Sequence, residues 1–173
     1  MSQSTDKYLR KAQLHIKAGE GVQAEEIYKK ILAKFPKNKK AILGYQKLKT
    51  PPQVELNNLI SLFNNGKLKE TVSLGETLTR QFPLAIILHE IIGAANMGLG
   101  NADETIASYQ RVLQLNHKHT DAYNNLGMVF YDEGKFSKAV DNYQKAVEIE
   151  PNFADAHYNL ANALKQTGDL GSA

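Results

Sequence analysis

Five histidines, His15, His89, His117, His119 and His157, are the first places to look for proton transfer or metal ligation. An imidazole becomes a catalyst when a second group orients it and a reacting atom lies within reach. His117-Lys118-His119 reads as a loop with no ordered carboxylate beside it, which argues against a metal site. His89 and His157 recur in the slot that Tyr123 fills in a neighbouring segment, so both read as packing residues. The acidic pairs Asp103-Glu104 and Asp132-Glu133 fall at helix starts and turns, where carboxylates are ordinarily solvated. The glycines from Gly93 to Gly100 lack the following Lys-Ser/Thr and the preceding strand of a phosphate loop. With no Cys in the chain, thiolate catalysis, disulfides, zinc ribbons and iron–sulfur ligation are excluded together. The remaining polar residues suit recognition rather than reaction. The expectation is a protein that is not an enzyme, with no cofactor and no metal.

Composition bounds what must position these groups. The chain has 173 residues, 42% hydrophobic and 23% charged, enough to bury a core of its own. Its first residues, MSQSTDKYLR, lack the apolar run of a signal peptide. The longest apolar stretch, 84–92, is broken by His89 and Glu90 and is far short of a membrane span. These features predict an intracellular, cytoplasmic protein without a transmembrane segment. The net charge of +3 hides an asymmetry, because residues 1–50 hold twelve Lys or Arg against four Asp or Glu, whereas 51–173 hold nine against fourteen. A basic front and an acidic rear suit different partners, or each other in two copies.

The elements follow from an internal repeat. Gly66, Gly100, Gly134 and Gly168 stand 34 residues apart, and Gly19 precedes Gly66 by 47. Pro36, Pro83, His117 and Pro151 keep the intervals 47, 34 and 34, and so do Tyr28, Gly75, Tyr109 and Tyr143. Each unit reads as two helices. In 120–153 the first carries Tyr123, Leu126, Phe130 and Tyr131 at helical spacing, and the second carries Phe136, Ala139, Val140, Tyr143, Ala146 and Val147. Gly134 can take the left-handed conformation that ends the first helix. Pro151 stops the second, and Asn152 and Asp155 offer caps to the next. Small residues at Ala12, Gly93, Gly127 and Ala161 stand where the helices of a hairpin cross, since a larger side chain would force them beyond about 8–10 Å.

This pattern resembles the tetratricopeptide repeat (TPR), bacterial TPR arrays included. The slots that carry the resemblance are Tyr123, Leu126-Gly127, Phe130, Gly134, Ala139, Tyr143, Ala146 and Pro151 in 120–153, with partial matches in 5–38, 52–85, 86–119 and 154–173. The resemblance implies an all-α fold: an α-solenoid of helix-turn-helix repeats wound as a right-handed superhelix, with first helices lining its concave side. Thirteen residues, 39–51, interrupt the period and predict one extra short helix ending at Pro51-Pro52. The chain therefore reads as a basic N-terminal module over 1–50, a degenerate repeat plus that helix. A TPR array over 51–173 follows, with units 52–85, 86–119, 120–153 and a partial 154–173. Residues 168–173 open a second helix that stops at its small-residue slot, which predicts a fragment of a longer chain or an edge covered by another copy.

In the family, positions 2, 5, 6, 9, 12 and 13 of each first helix face the ligand. By register, this places Asn124, Asn125, Met128, Tyr131, Asp132, Tyr158, Asn159 and Asn162 in a peptide-binding groove. Asn125 and Asn159 at position 6 are similar to the asparagine ladder of the N-acetylglucosamine transferase superhelix, which grips a peptide main chain. The family's clamp for carboxylate-ended chaperone peptides needs Lys, Asn, Asn, Lys and Arg where this chain has Glu90, Ala94, Asn125, Asp155 and Asn159, so that mode is rejected. Asp121, Asp132 and Asp155 favour a basic or neutral peptide instead. The expected function is a protein–protein interaction scaffold. The alternatives are a substrate-presenting front end of a larger sulfotransferase or glycosyltransferase, suggested by PPQVELNNLISLFNNGKLKETV, or a self-assembling structural protein. Lys29, Lys30, Lys34, Lys37, Lys39 and Lys40 form a basic surface for an acidic protein, anionic lipid or nucleic acid, but not for sequence-specific nucleic-acid reading. A homo-oligomer is possible through this region or through the C-terminal edge.

Overall fold

The computed structural model describes residues 2–168. Among them the chain forms ten helices and no strand. They are α1 (Ser2–Lys17), α2 (Gly21–Lys34), α3 (Lys39–Lys47), α4 (Gln53–Asn64), α5 (Leu68–Gln81), α6 (Ile86–Leu99), α7 (Ala102–Leu115), α8 (Thr120–Asp132), α9 (Phe136–Ile149) and α10 (Ala154–Thr167). The all-α class and the helix-turn-helix repeat both hold. Tertiary contacts divide the chain into two compact units, Met1–Ile91 and Ile92–Ala173, and the division falls inside α6. The second helix expected to open after Gly168 lies outside the described residues.

Two of the three repeated series, the glycine ruler and the proline ruler, mark chain reversals. Gly19, Gly66, Gly100, Gly134 and Gly168 have φ between 70° and 78°, a conformation that costs a residue with a Cβ about 1–2 kcal/mol. At Gly134 the glycine N–H donates to Tyr131 O at 2.9 Å, and the next N–H, of Lys135, donates to Phe130 O at 2.8 Å. These bonds satisfy carbonyls that the helix end leaves open. The same pair recurs at Gly66 and Gly100. The second ruler sits in a β-turn closed by Asn38 N–H to Phe35 O, Ala85 N–H to Phe82 O, His119 N–H to Asn116 O and Phe153 N–H to Glu150 O. Pro36, Pro83, His117 and Pro151 each occupy the second turn position, where a preset φ helps and no N–H is needed. The capping expectation for α10 fails. Its N-cap is Phe153, with no side-chain cap bond, and Asp155 lies inside the first turn. Asn38, by contrast, accepts from Ala41 N at 3.0 Å and caps α3.

In the front unit, Leu59, Leu78, Ala85, Leu88 and Ile91 form a buried cluster with Leu56, Ile60, Phe63, Leu74 and Phe82 packed on it. The inserted helix α3 packs on α2 through buried Ala41 and Gly44. Leu48 is buried at its end and accepts from Leu84 N at 3.2 Å. In the rear unit, Ala139, Tyr143 and Ala163 are buried together under Phe130, Tyr131, Val140 and Leu160. The small residue Gly127 faces Tyr143, where an added Cβ would lie 2.5 Å from the ring, and Gly93 faces Tyr109, where it would lie 3.0 Å away. On α10, Leu164 is buried and Leu160 is half-buried, whereas Ala161 in the small-residue slot is exposed. Thr71 and Thr105 are fully buried in the slot that Ala24 and Ala139 fill, and their hydroxyls donate to Lys67 O at 3.0 Å and Asn101 O at 2.7 Å. A buried hydroxyl satisfied by its own helix costs little, so threonine is admitted there.

Candidate functional site

All eight groove residues lie in the rear unit, on α8 and α10. The two helices stand one repeat apart in the sequence, and they touch directly. The contact is polar. Asn159 Nδ2 on α10 donates to Asn124 Oδ1 on α8 at 3.0 Å, and Asn124 Nδ2 in turn reaches Met128 Sδ at 3.7 Å. Asn124 is buried, so its bond with Asn159 keeps a desolvated amide satisfied and sets the spacing of the two helices. The register from sequence pairs Asn125 with Asn159 across 34 residues, whereas the hydrogen bond runs from Asn159 to Asn124. Asn124 thus spends its amide inside the protein, while Asn125 has no side-chain hydrogen bond among the described residues.

The other predicted residues divide between wall and surface. Tyr158 is 71% exposed and Met128 is 37% exposed, leaving apolar area open beside the Asn124–Asn159 bond. Asn162 is half-buried and Asp132 is exposed. Tyr131 is half-buried and packs edge-on against Phe136, with ring centroids 5.2 Å apart. Behind the wall, burial first, and then Asp132 and Tyr131, push the Tyr143 phenol well above its ordinary range. Tyr143 therefore stays neutral, as its place against Gly127 requires.

The histidines find partners in the loops. His89 Nε2 lies 3.2 Å from Pro83 O, and His157 Nε2 lies 2.8 Å from Pro151 O. The shared slot works as a clasp on the preceding turn, a bond that spacing alone does not reveal because its partner is a main-chain carbonyl. Among the described residues no group of three or more His, Cys, Asp or Glu is placed to hold a metal ion. No described helix is long and apolar enough to cross a membrane.

With this geometry in place, comparison with known proteins is informative. Residues 127–168 match a family model described as TPR repeat, and residues 8–38 match one described as tetratricopeptide repeat. No curated protein matches the chain. Among solved structures, MamA aligns with a TM-score of 0.62 at 23% identity, covering 99% of this chain and 86% of MamA. The first TPR of Spaghetti (RPAP3), bound to the HSP90 peptide SRMEEVD, aligns with a TM-score of 0.64 at 21% identity, covering 66% of this chain and 91% of that one. The second TPR domain of human RPAP3, in complex with the HSP70 peptide SGPTIEEVD, gives 0.60 at 16%, covering 63% and 91%. At these identities the likeness concerns the fold. Together with the repeated glycine–tyrosine contacts and the paired turns, the two family matches identify tetratricopeptide repeats over residues 8–38 and 127–168 of this chain.

Proposed function

We propose that the chain is a protein-interaction scaffold whose α8–α10 surface receives an extended peptide of neutral or basic character. The observation that carries this reading is the Asn159–Asn124 bond, which aligns two first helices beside the exposed Tyr158 and Met128. In this reading Asn125 and Asn162 bind peptide main chain, which needs both a donor and an acceptor at each step. Met128 and Tyr158 supply adaptable apolar contact. The RPAP3 domains named above bind peptides ending in Glu-Glu-Val-Asp. The exposed Asp121, Asp132 and Asp155 disfavour such acidic tails here and attract positive ones.

An array of immobilised twelve-residue peptides, neutral, basic and acidic, tests this directly. The chain should retain basic or neutral peptides, and Tyr158→Ala and Asn125→Ala should each weaken the best of them about tenfold, a typical loss for an interface anchor. Retention of acidic peptides alone, or binding indifferent to both variants, would refute the assignment.

A further inference from the structure

We propose that the cleft between α1 and the C-terminal half of α2 is a second docking site, which takes an acidic peptide segment anchored by one apolar side chain. Two adjoining cavities of about 540 and 640 Å³ open there, and Thr5, Lys34 and Phe35 line both. Their size lies within the range of ligand-binding clefts. The floor is apolar. Ile31 is buried, Phe35 is half-buried, and Tyr8 stands on α1 with 53% of its surface exposed. The rim is cationic, since Lys30 and Lys34 are one turn apart on α2 and Lys37 follows in the adjoining turn. All three are exposed, and among the described residues no carboxylate pairs with any of them. The Lys34 ammonium lies over the Phe35 ring, 5.8 Å from its centroid, which keeps that charge at the mouth of the cleft. Asp6 is the one acidic residue lining either cavity.

Uncompensated charge around an apolar depression specifies its occupant. A ligand must bring carboxylates to the rim and a hydrophobic group to the floor. A membrane surface or a nucleic-acid duplex would use the lysines but leave the cleft unfilled, whereas an aromatic side chain flanked by Asp or Glu satisfies both. The surrounding field reinforces the choice, because residues 1–50 hold twelve basic side chains against four acidic ones. The site is independent of the α8–α10 surface and opposite to it in preference.

The test is fluorescence anisotropy with the full chain at low and physiological salt. The probe is a fluorescein-labelled peptide with one phenylalanine between two runs of three glutamates. Saturable binding should weaken at least tenfold in Lys30→Glu/Lys34→Glu, and severalfold in Tyr8→Ala or when alanine replaces the peptide's phenylalanine. Added salt should weaken it further. Circular dichroism of the variants keeps misfolding apart from lost binding, and Asn125→Ala should leave this probe unaffected, which separates the two sites. Binding indifferent to the lysine reversals or to the phenylalanine overturns the proposal. So does absence of peptide binding while phosphatidylserine vesicles or single-stranded DNA are retained, or while the lysine reversals only disperse an assembly of copies in light scattering.

Discussion

In the rear unit a glycine and the tyrosine sixteen residues after it face each other within one hairpin, as Gly93 with Tyr109 and Gly127 with Tyr143. In the front unit Tyr28 lies instead against Gly44, sixteen residues later, on the inserted helix α3. The aromatic is equally buried in both settings. The front unit also has a contact with no counterpart described in the rear. Gly21, the first residue of α2, lies against the main chain of Arg80 and Gln81 at the end of α5. One packing device, a ring over a missing side chain, therefore serves both a regular hairpin and an irregular helix. What makes the front irregular is which helix supplies the gap, not a different kind of core.

The comparison can be broken most sharply at Gly21. A Cβ there would collide with the main chain of Gln81, which cannot rotate away, so Gly21→Ala should cost about 3 kcal/mol. In a chain of this size that lowers the midpoint of thermal unfolding by roughly 9 °C. A midpoint like that of the unsubstituted chain would mean that the α2–α5 contact is not formed. Gly44→Ala and Gly127→Ala press on a buried ring instead. Overpacking of about 1–3 kcal/mol is partly offset by the gain of about 1 kcal/mol when alanine replaces a mid-helix glycine. Both should melt a few degrees early, and equal losses would show that the two settings are equivalent. Gly93→Ala sharpens the same point from below. Its Cβ would sit 3.0–3.2 Å from the Tyr109 ring, so clash and helix gain nearly cancel, and stability should change by less than about 0.5 kcal/mol.

Alkaline titration probes the rings without a new side chain. Burial raises the phenols of both Tyr28 and Tyr143. A folded-state value above the unfolded one, near 10, gives stability that is complete below pH 10 and lost as the pH rises beyond it. The chain should lose stability as the pH rises above 10, by up to about 1.4 kcal/mol per pH unit from Tyr143, with a further loss in the same direction from Tyr28. Tyr143→Phe should flatten the part belonging to the rear unit. A denaturation midpoint independent of pH between 9 and 11 would show that neither ring is held neutral.

The boundary seen in charge and the boundary seen in packing differ. Charge changes sign at about residue 50, whereas compact contacts divide at Ile91. We keep 1–50 as a proposed electrostatic module, because unpaired lysines act at long range without owning a core. Its last helix is tied to its neighbours by buried Leu48 and by the Leu48–Leu84 hydrogen bond. Limited proteolysis tests that seam, and rapid cleavage at Thr50 would show that the tie opens readily.

The repeat, its turns and the inserted helix were legible in the sequence, because each rests on a local requirement. Gly134 takes φ 72°, Pro151 sits where no N–H is wanted, and Gly93 and Gly127 lack a side chain where a tyrosine ring packs. The proposed groove was legible only as a register. Position along a helix assigned Asn124, Asn125 and Asn159 to one face, but which amide bonds which depends on how far two helices slide past each other, and that lies beyond any single repeat. The cleft at Tyr8 and Phe35 had a weaker signal. Its lysines stood out as charge, while Phe35 looked like any aromatic before a turn proline, as Phe82 does.

Taken alone, the sequence determined the helices, their ends and the slots where side chains must be small, since these follow from dihedral preference and steric volume within about thirty residues. Tertiary structure decided the rest. It set Asn159 against Asn124, laid Tyr28 on the helix after its own hairpin, and left Lys30 and Lys34 around an open apolar cleft. Those outcomes depend on side chains far apart in the chain meeting at a few ångströms, where packing and hydrogen bonding are decided jointly by all the neighbours present.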